Sequence, residues 1–444
     1  MIPILIFAAL LATPQDTARL TISTAVDRAL ATHPSVAAAR AQRDVASADI
    51  DQARAAWLPM LSLDGAINRF EKPMIVYPLH ALDLRNPPTF DRALAQASVG
   101  AAYTLLDFGA RSSRVHVAER QREAADATLG ATEQQLAART ANAYLRVLTT
   151  RGILAAEDQR LAALSAEAKR ARDRLAAGKS ARLDTLRAAS ELASASADRL
   201  TSASNVDIAE HELARLVGVA YETVHQAPLA GVRLSPAANN ADATVTRGAL
   251  TARANSANTE VVAATRRADA AQAAIGSARA TMYPQVQAMS AIVDRSNITG
   301  RYLAEWQMGV AFSYPIFTGG ARTSLIGRAE AAARVSEEQV RAAKLTNAQQ
   351  LDETQSTLDG SRARVTALEA AVAQSSEVAR ITQLLRDVGE GTQTDYLIAE
   401  ANLFRARSSL VQARHAVIAA RVELARVLGE LSRSWIASSL ETLP

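Results

Sequence analysis

Ile50–Pro59 reads "IDQARAAWLP", and about 225 residues later Ile275–Pro284 reads "IGSARATMYP". Both stretches carry alanine and arginine in a helix-favouring run and then stop at proline. Proline lacks an N–H and keeps the residue before it out of the αR region, so Pro59 and Pro284 each predict a helix end. Directly after Pro59 the apolar period changes from 3.6 to 2: Leu61, Leu63 and Ile67 alternate with Ser62, Asp64 and Asn68. The same helix-to-strand joint is thus predicted twice in one chain.

Three further matches extend the duplication. "GARSSRV" from Gly109 faces "GARTSLI" from Gly320, at an offset of about 211. "GKSARLDTL" from Gly178 faces "GEGTQTDYL" from Gly389 at that offset, with Asp184 and Asp395 at the same place after the glycine. "ELARLVG" at Glu212–Gly218 faces "ELARVLG" at Glu423–Gly429. Two repeats are therefore expected, over residues 20–218 and 247–429, joined by a linker over 219–246 and followed by a tail over 430–444. The offset changes only between Pro59 and Gly109. About 14 extra residues are assigned to the proline-rich stretch Phe70–Phe90, as an exposed loop.

Between Gly109 and Gly178, and again between Gly320 and Gly389, there is no proline. An unbroken helix of that length rises roughly 100 Å and needs other long helices beside it. Leu129 with Leu136, and Leu368 with Val372, are spaced for one apolar stripe on each. Leading helices are expected over Thr24–Trp57 and from about Asn255 to Tyr283, and returning helices over Leu183–Val217 and Thr394–Leu428. Ahead of Gly320, Trp306, Met308, Val310, Phe312, Tyr314 and Ile316 alternate with Glu305, Gln307, Gly309, Ala311 and Ser313. Ahead of Gly109, Val99, Ala101, Tyr103 and Leu105 alternate with Ser98, Gly100, Ala102 and Thr104. Strands of about 10 to 12 residues suit a tilted crossing of an outer membrane. The same alternation also describes an ordinary half-buried strand.

Composition agrees with a helical framework. The chain of 444 residues is 49% hydrophobic but only 4% aromatic, with alanine supplying much of the apolar share. Alanine favours helix and lets helices approach closely. The net charge is +4, and the arginines are interspersed with acids, as on a solvated helical face and unlike a nucleic-acid-binding patch. The absence of cysteine excludes disulfides and thiolate metal sites. Residues 1–14, "MIPILIFAALLATP", have the length of a signal-peptide core but no leading Lys or Arg, so an ordinary N-terminal segment is the other reading. No apolar run elsewhere is long enough for a membrane-spanning helix.

Each half thus reads as helix, strand, loop, strand, long helix, turn, helix, and the chain offers four strands. Lipid tolerates no open sheet edge. Strands placed in a membrane would have to be pooled: eight from two chains leave a bore largely filled by side chains, and twelve from three open a channel.

These joints, "LLDFGAR" and "PIFTGGAR", together with the paired Gly-to-Asp turns and paired "ELAR" endings, resemble the TolC-like outer-membrane efflux family of Gram-negative bacteria, from about Leu20 to Gly429. The resemblance implies an α+β membrane channel. Three chains pool their strands into a twelve-stranded outer-membrane β-barrel, continued by a long periplasmic α-helical barrel. It implies an exit duct, for efflux or type I secretion, that docks on an inner-membrane pump of the RND or ABC type through a periplasmic adaptor protein. No catalytic site and no cofactor are implied.

Gly178 and Gly389 fit left-handed helix caps, and with Gly391 they would form the periplasmic tip that the family presents to its adaptor. Asp184 and Asp395 fit helix N-termini, where an acid complements the dipole. Under threefold symmetry each would also form a ring of three carboxylates at a narrow entrance, favouring cations. Family members can carry a base in the second-half turn to latch the gate. Gly391 and Gln393 stand there instead, and Arg182 is the available substitute. Tyr103, Trp306, Phe312 and Tyr314 are the expected lipid-facing or girdle residues, strand packing being the alternative. The six histidines show no metal-ligand spacing, and no phosphate-binding or nucleophile motif is present. The rival account is a soluble coiled-coil scaffold, which leaves the paired alternating strands unexplained.

Overall fold

The computed structural model describes residues 19–75, 85, 90–240, 245–296 and 302–443. The expected signal segment over 1–14 and most of the loop between Ile75 and Phe90 lie outside the described residues. The chain divides into two compact units.

The first unit comprises residues 40–127 and 263–342. Its centre is an antiparallel sheet of β1 (Met60–Ile75), β2 (Phe90–Leu106), β4 (Gln285–Ser296) and β5 (Tyr302–Ser313), in the order β1-β2-β4-β5. Part of the stretch expected as loop, Phe70–Ile75, is instead strand: β1 and β2 run to 16 and 17 residues, against 12 each for β4 and β5. The ladder shifts register between Arg69 and Met74, close to Pro73, which cannot donate to it. The β5 strand stops at Ser313, so Tyr314 and Ile316, expected within it, lie beyond its end; Pro315 restricts the residue before it and offers no N–H.

The second unit comprises residues 19–39, 128–262 and 343–443 as described. The leading helix expected over Thr24–Trp57 is two helices, α1 (Ile22–Thr32) and α2 (Pro34–Ala55). His33, ahead of Pro34, is held extended at φ −70°, ψ 131°, and ends α1. Thr21 caps α1 by accepting from the Thr24 N–H at 3.2 Å. The second leading helix is likewise divided, into α7 (Arg247–Ala257) and α8 (Thr259–Ala280). Here Asn258 makes the break: its Oδ1 accepts the Glu260 N–H at 2.9 Å and its Nδ2 donates to the Val427 carbonyl at 2.9 Å.

The long helices are α3 (Ala110–Ala176) and α9 (Ala321–Val388), of 67 and 68 residues; the returning helices are α4 (Arg182–Val217) and α10 (Gln393–Val427), of 36 and 35. The N-terminal parts of α3 and α9 belong to the strand-bearing unit and the remainder to this one. The stretches read as linker and tail carry further elements: α5 (Tyr221–Gln226), β3 (Gly231–Leu234), α6 (Pro236–Asn240), α11 (Arg433–Ser439) and β6 (Leu440–Leu443). Strands β3 and β6 pair antiparallel in a second sheet, so the described residues hold six strands and not four.

The main core of this unit gathers Ile22, Val26 and Leu30 of α1, Leu136, Ala141 and Tyr144 of α3, Leu213 and Leu216 of α4, and Val422 of α10 with Leu431 and Ile436. Tyr144 is fully buried; its hydroxyl lies 2.7 Å from the Leu20 carbonyl and 2.8 Å from that of Ala230, tying the segment ahead of α1 to the linker. Burial pushes its pKa up to about 12, against a smaller opposing effect of the Ala230 hydrogen bond. Among the described residues no helix is long and apolar enough to cross a membrane.

Candidate functional site

Two parts of the molecule bear on function, one in each unit. In the strand unit, the register aligns the alternation of all four strands. Leu63 pairs with Val99, Val99 with Ile292, and Ile292 with Trp306, so one row crosses the sheet on one face. Rows on either side add Leu61, Ile67, Tyr103, Met308, Val310 and Phe312 to that face. These side chains are exposed: Leu63 79%, Trp306 72%, Phe312 68%. The other face carries Ser62, Asp64, Asn68, Gln96, Ser98, Gln287 and Gln307, with Arg295 paired to Glu305 at 2.9 Å. The outer edges of β1 and β5 have no strand partner among the described residues. An apolar exposed face, a polar opposite face and two open edges are unlike a soluble sheet, which buries its apolar face.

The joint between β2 and α3 is built around a buried ion pair. Asp107 accepts the Gly109 N–H at 3.3 Å, the Arg111 N–H at 2.9 Å and Arg111 Nε at 2.9 Å. The Arg111 guanidinium lies 4.3 Å from the Trp57 ring centroid and 5.8 Å from that of Tyr103. Tyr103 therefore belongs to this joint as well as to the apolar face. Phe108 and Gly109 have φ of 50° and 92°; the corresponding pair ahead of α9, Gly319 and Gly320, has 60° and 82°. The Phe108 strain is stabilised by its ring, stacked on Tyr283 at 5.6 Å. At the second joint Arg322 lies 5.5 Å from the Tyr314 ring and donates to the Pro315 carbonyl at 3.1 Å, while Ile316 and Phe317 stay exposed.

In the other unit, the α3–α4 and α9–α10 turns have closely similar backbones. Gly178 has φ 68° and Gly389 φ 84°, each followed by a residue whose N–H reaches back to the helix: Lys179 to Arg174 at 2.8 Å and Glu390 to Leu385 at 2.9 Å. A Cβ on either glycine would meet nothing within 4 Å, so φ is the whole constraint. Gly391 differs: a Cβ there would lie 2.9 Å from the Arg386 nitrogen. Asp395 is the third residue of α10, where its N–H donates to the Thr392 hydroxyl at 3.1 Å and its Oδ2 accepts from that hydroxyl at 2.6 Å. Asp184 holds the equivalent place in α4, but Ala181 gives no side-chain cap. No hydrogen bond or ion pair joins Asp184 to Asp395, and Arg182 is exposed with no ion-pair partner among the described residues.

The contacts that do join the two hairpins involve residues that the sequence left unmarked. Arg386, in the last turn of α9, donates from Nη1 to Glu167 of α3 at 2.8 Å and from Nη2 to Asp387 at 2.8 Å, with its guanidinium 4.1 Å from the Tyr396 ring centroid. Burial disfavours the Arg386 charge, but the Asp387 and Glu167 carboxylates outweigh it and raise its pKa; the same hydrogen bond lowers that of Asp387. Arg187 of α4 donates to the Thr394 hydroxyl of α10 at 2.9 Å. Deeper along α3, burial raises the pKa of Glu157 above the usual carboxylate range, with Arg160 partly opposing it. A last-turn arginine reads from sequence only as a complement to the helix dipole. Nothing local announces that its partner stands on another hairpin.

A sheet with an exposed apolar face, in a chain that also forms long paired helices, fits an outer-membrane protein of the mixed α and β kind. The profile of the Outer membrane efflux protein family matches residues 25–219 and 250–430, and the chain belongs to that family. It is 26% identical over 408 residues to the outer membrane protein TolC of Vibrio cholerae serotype O1, covering 90% of this chain and 88% of the relative. Its fold is similar to that of the outer membrane protein VceC of Vibrio cholerae, with TM-score 0.76, 22% identity and 92% and 96% of the two chains covered. It is also similar to the CmeC outer membrane channel of Campylobacter jejuni, with TM-score 0.79, 13% identity and coverage of 94% and 88%. Membership makes the chain an outer-membrane efflux protein of a Gram-negative cell, with a large helical periplasmic part, and not an enzyme. The scaffold account is set aside on the same ground.

Proposed function

We propose that the chain is the exit duct of a tripartite efflux or type I secretion system, passively conducting what an inner-membrane pump of the RND or ABC type delivers through a periplasmic adaptor. The observation that carries this reading is the sheet: its exposed apolar face suits lipid, and its two open edges require partner strands there. A homotrimer satisfies both, with β1 of one chain beside β5 of the next and twelve strands in the closed barrel. The two halves, residues 20–218 and 247–429, are then structural repeats. Their matched helix lengths and matched left-handed joints support this. The signal segment over 1–14 belongs to the same reading, as the export address.

Tyr103, Trp306 and Phe312 face lipid in this arrangement, and Tyr314 sits at the strand-to-helix boundary. The turns at Gly178, Gly389 and Gly391 meet the adaptor. Asp395 and Asp184 form carboxylate rings at the periplasmic constriction, with Arg182 at its rim. Asp395 is the stronger of the two, being exposed and held in place by Thr392. Single-channel recording in planar bilayers tests the proposal. The native protein should conduct and be blocked by multivalent cations from the periplasmic side, and Asp395→Ala should relieve that block. Absence of conductance, or identical block in the variant, would contradict it.

A further inference from the structure

We propose a divalent-cation site on the helical unit, formed by Asp207, Glu210 and His225 and suited to Zn²⁺. Asp207 and Glu210 are three residues apart on α4 and share a face. His225 comes from α5, in the segment between the two halves. The chain separation hides the cluster from any local spacing rule, but the fold brings one ligand atom from each residue within 4.8 Å of the others. His225 Nδ1 is already 2.7 Å from Glu210 Oε2. The Tyr221 hydroxyl lies 3.1 Å from both Asp207 Oδ1 and His225 Nδ1, a third oxygen and fourth candidate donor at the same point.

Glu210 is 1% exposed, and its other oxygen is fully committed. Arg151 of α3 donates to Oε1 from Nε at 2.7 Å, and the same guanidinium donates to the carbonyls of Val224, His225 and Ala227 at 2.8, 3.1 and 3.0 Å. Arg151 therefore clamps α5 onto α3 and α4, and Val224 of α5 is buried in the same core. The cluster of His225, Asp207 and Tyr221 takes none of the hydrogen bonds that Arg151 makes to the three carbonyls. It forms a second layer of donors on the solvent side, where the imidazole is 53% exposed and open to an incoming ion. His211, stacked on Tyr221 at 4.0 Å, fixes the phenol from behind.

One imidazole nitrogen with two carboxylate oxygens is a donor set for Zn²⁺ and not for the all-oxygen cages of Ca²⁺ or Mg²⁺. Bonds of ~2.0–2.2 Å to a single ion require the donors to close by rotation of exposed side chains only, because Glu210 is already fixed by its partner. A ligating imidazole nitrogen carries no proton, so protons compete with Zn²⁺ for the site and affinity should fall as pH is lowered. Arg151 offsets the Glu210 charge, leaving about one net negative charge to receive the ion.

The test is calorimetric titration of the untagged protein in detergent with Zn²⁺, alongside metal analysis after dialysis. The native chain should bind one Zn²⁺ per chain. His225→Ala and Asp207→Asn should each weaken binding at least tenfold, while His415→Ala, on α10 and outside the cluster, leaves it unchanged. Circular dichroism and unboiled mass confirm that the variants keep their fold, which Arg151 should secure. Tyr221→Phe decides whether the phenol ligates or only positions. Equal Zn²⁺ uptake by the native chain and the His225→Ala, Asp207→Asn double variant would overturn the assignment, as would no uptake at all.

Discussion

Arg386 near the end of α9 and Glu167 within α3 form a buried ion pair at 2.8 Å, although 219 positions separate them. Removing one partner of such a pair leaves an uncompensated buried charge and costs about 3–5 kcal/mol. Here Asp387 still holds Arg386, so Glu167→Ala should fall near the lower end. The loss should appear as faster hydrogen exchange of the amides around Gly178 and Gly389. Replacing both residues together, Glu167→Leu with Arg386→Met, should restore most of the protection. Unchanged exchange in the single variant would show that the pair does not hold the hairpins together.

The glycines of this chain are not equivalent, and alanine should tell them apart. At Gly178 only the left-handed backbone opposes a side chain, at about 1–2 kcal/mol. At Gly429, φ is 75° and an added Cβ would lie 2.0 Å from the Ala257 carbonyl oxygen, at the break between α7 and α8. Gly429→Ala should therefore destabilise well beyond Gly178→Ala in thermal unfolding. Equal shifts in melting temperature would contradict the close approach.

Tyr144 predicts an alkaline limit to stability. Its folded-state pKa is raised to about 12 from an ordinary value near 10. The neutral phenol therefore contributes stability that is complete below pH 10 and is lost as pH rises toward 12. Tyr144→Phe leaves the Leu20 and Ala230 carbonyls without that donor and should cost ~1–3 kcal/mol at neutral pH. It should also flatten the decline between pH 10 and 12, measured by denaturant unfolding. A decline as steep as in the native protein would exclude Tyr144 as its source.

The sheet predicts opposite responses on its two faces. Val310→Arg places a charge on the apolar face, at ~2–4 kcal/mol if that position is near the bilayer midplane. Gln307→Arg, on the polar face, should be tolerated. The measurement is the folded fraction recovered from outer membranes. Equal recovery would mean that Val310 does not face lipid.

Much of this was readable in advance. Pro59 and Pro284 announce the helix-to-strand joints, Gly178 and Gly389 the left-handed turns, and the alternation from Trp306 to Phe312 one face of the sheet. Local chemistry decides each of these. Pro34 carried the same signal as Pro59, yet a continuous helical pattern across it concealed the break at His33. The matching break at Asn258 has no proline and rests on a side chain reaching the Val427 carbonyl. The β3–β6 pair joins four-residue strands some 200 residues apart, too short for any period to show. Glu167 and Arg386 were hidden for the same reason: each looks like an ordinary helix-surface charge until the hairpins meet.

The central claim is that the open edges of β1 and β5 are closed by other copies of the chain in the outer membrane. Separating the two membranes, extracting the protein in mild detergent and determining its mass without boiling tests this directly. A species near three times 47.1 kDa from the outer-membrane fraction is the expected result. A monomer or dimer outside the membrane would mean that the apolar face never meets lipid, and would contradict the account.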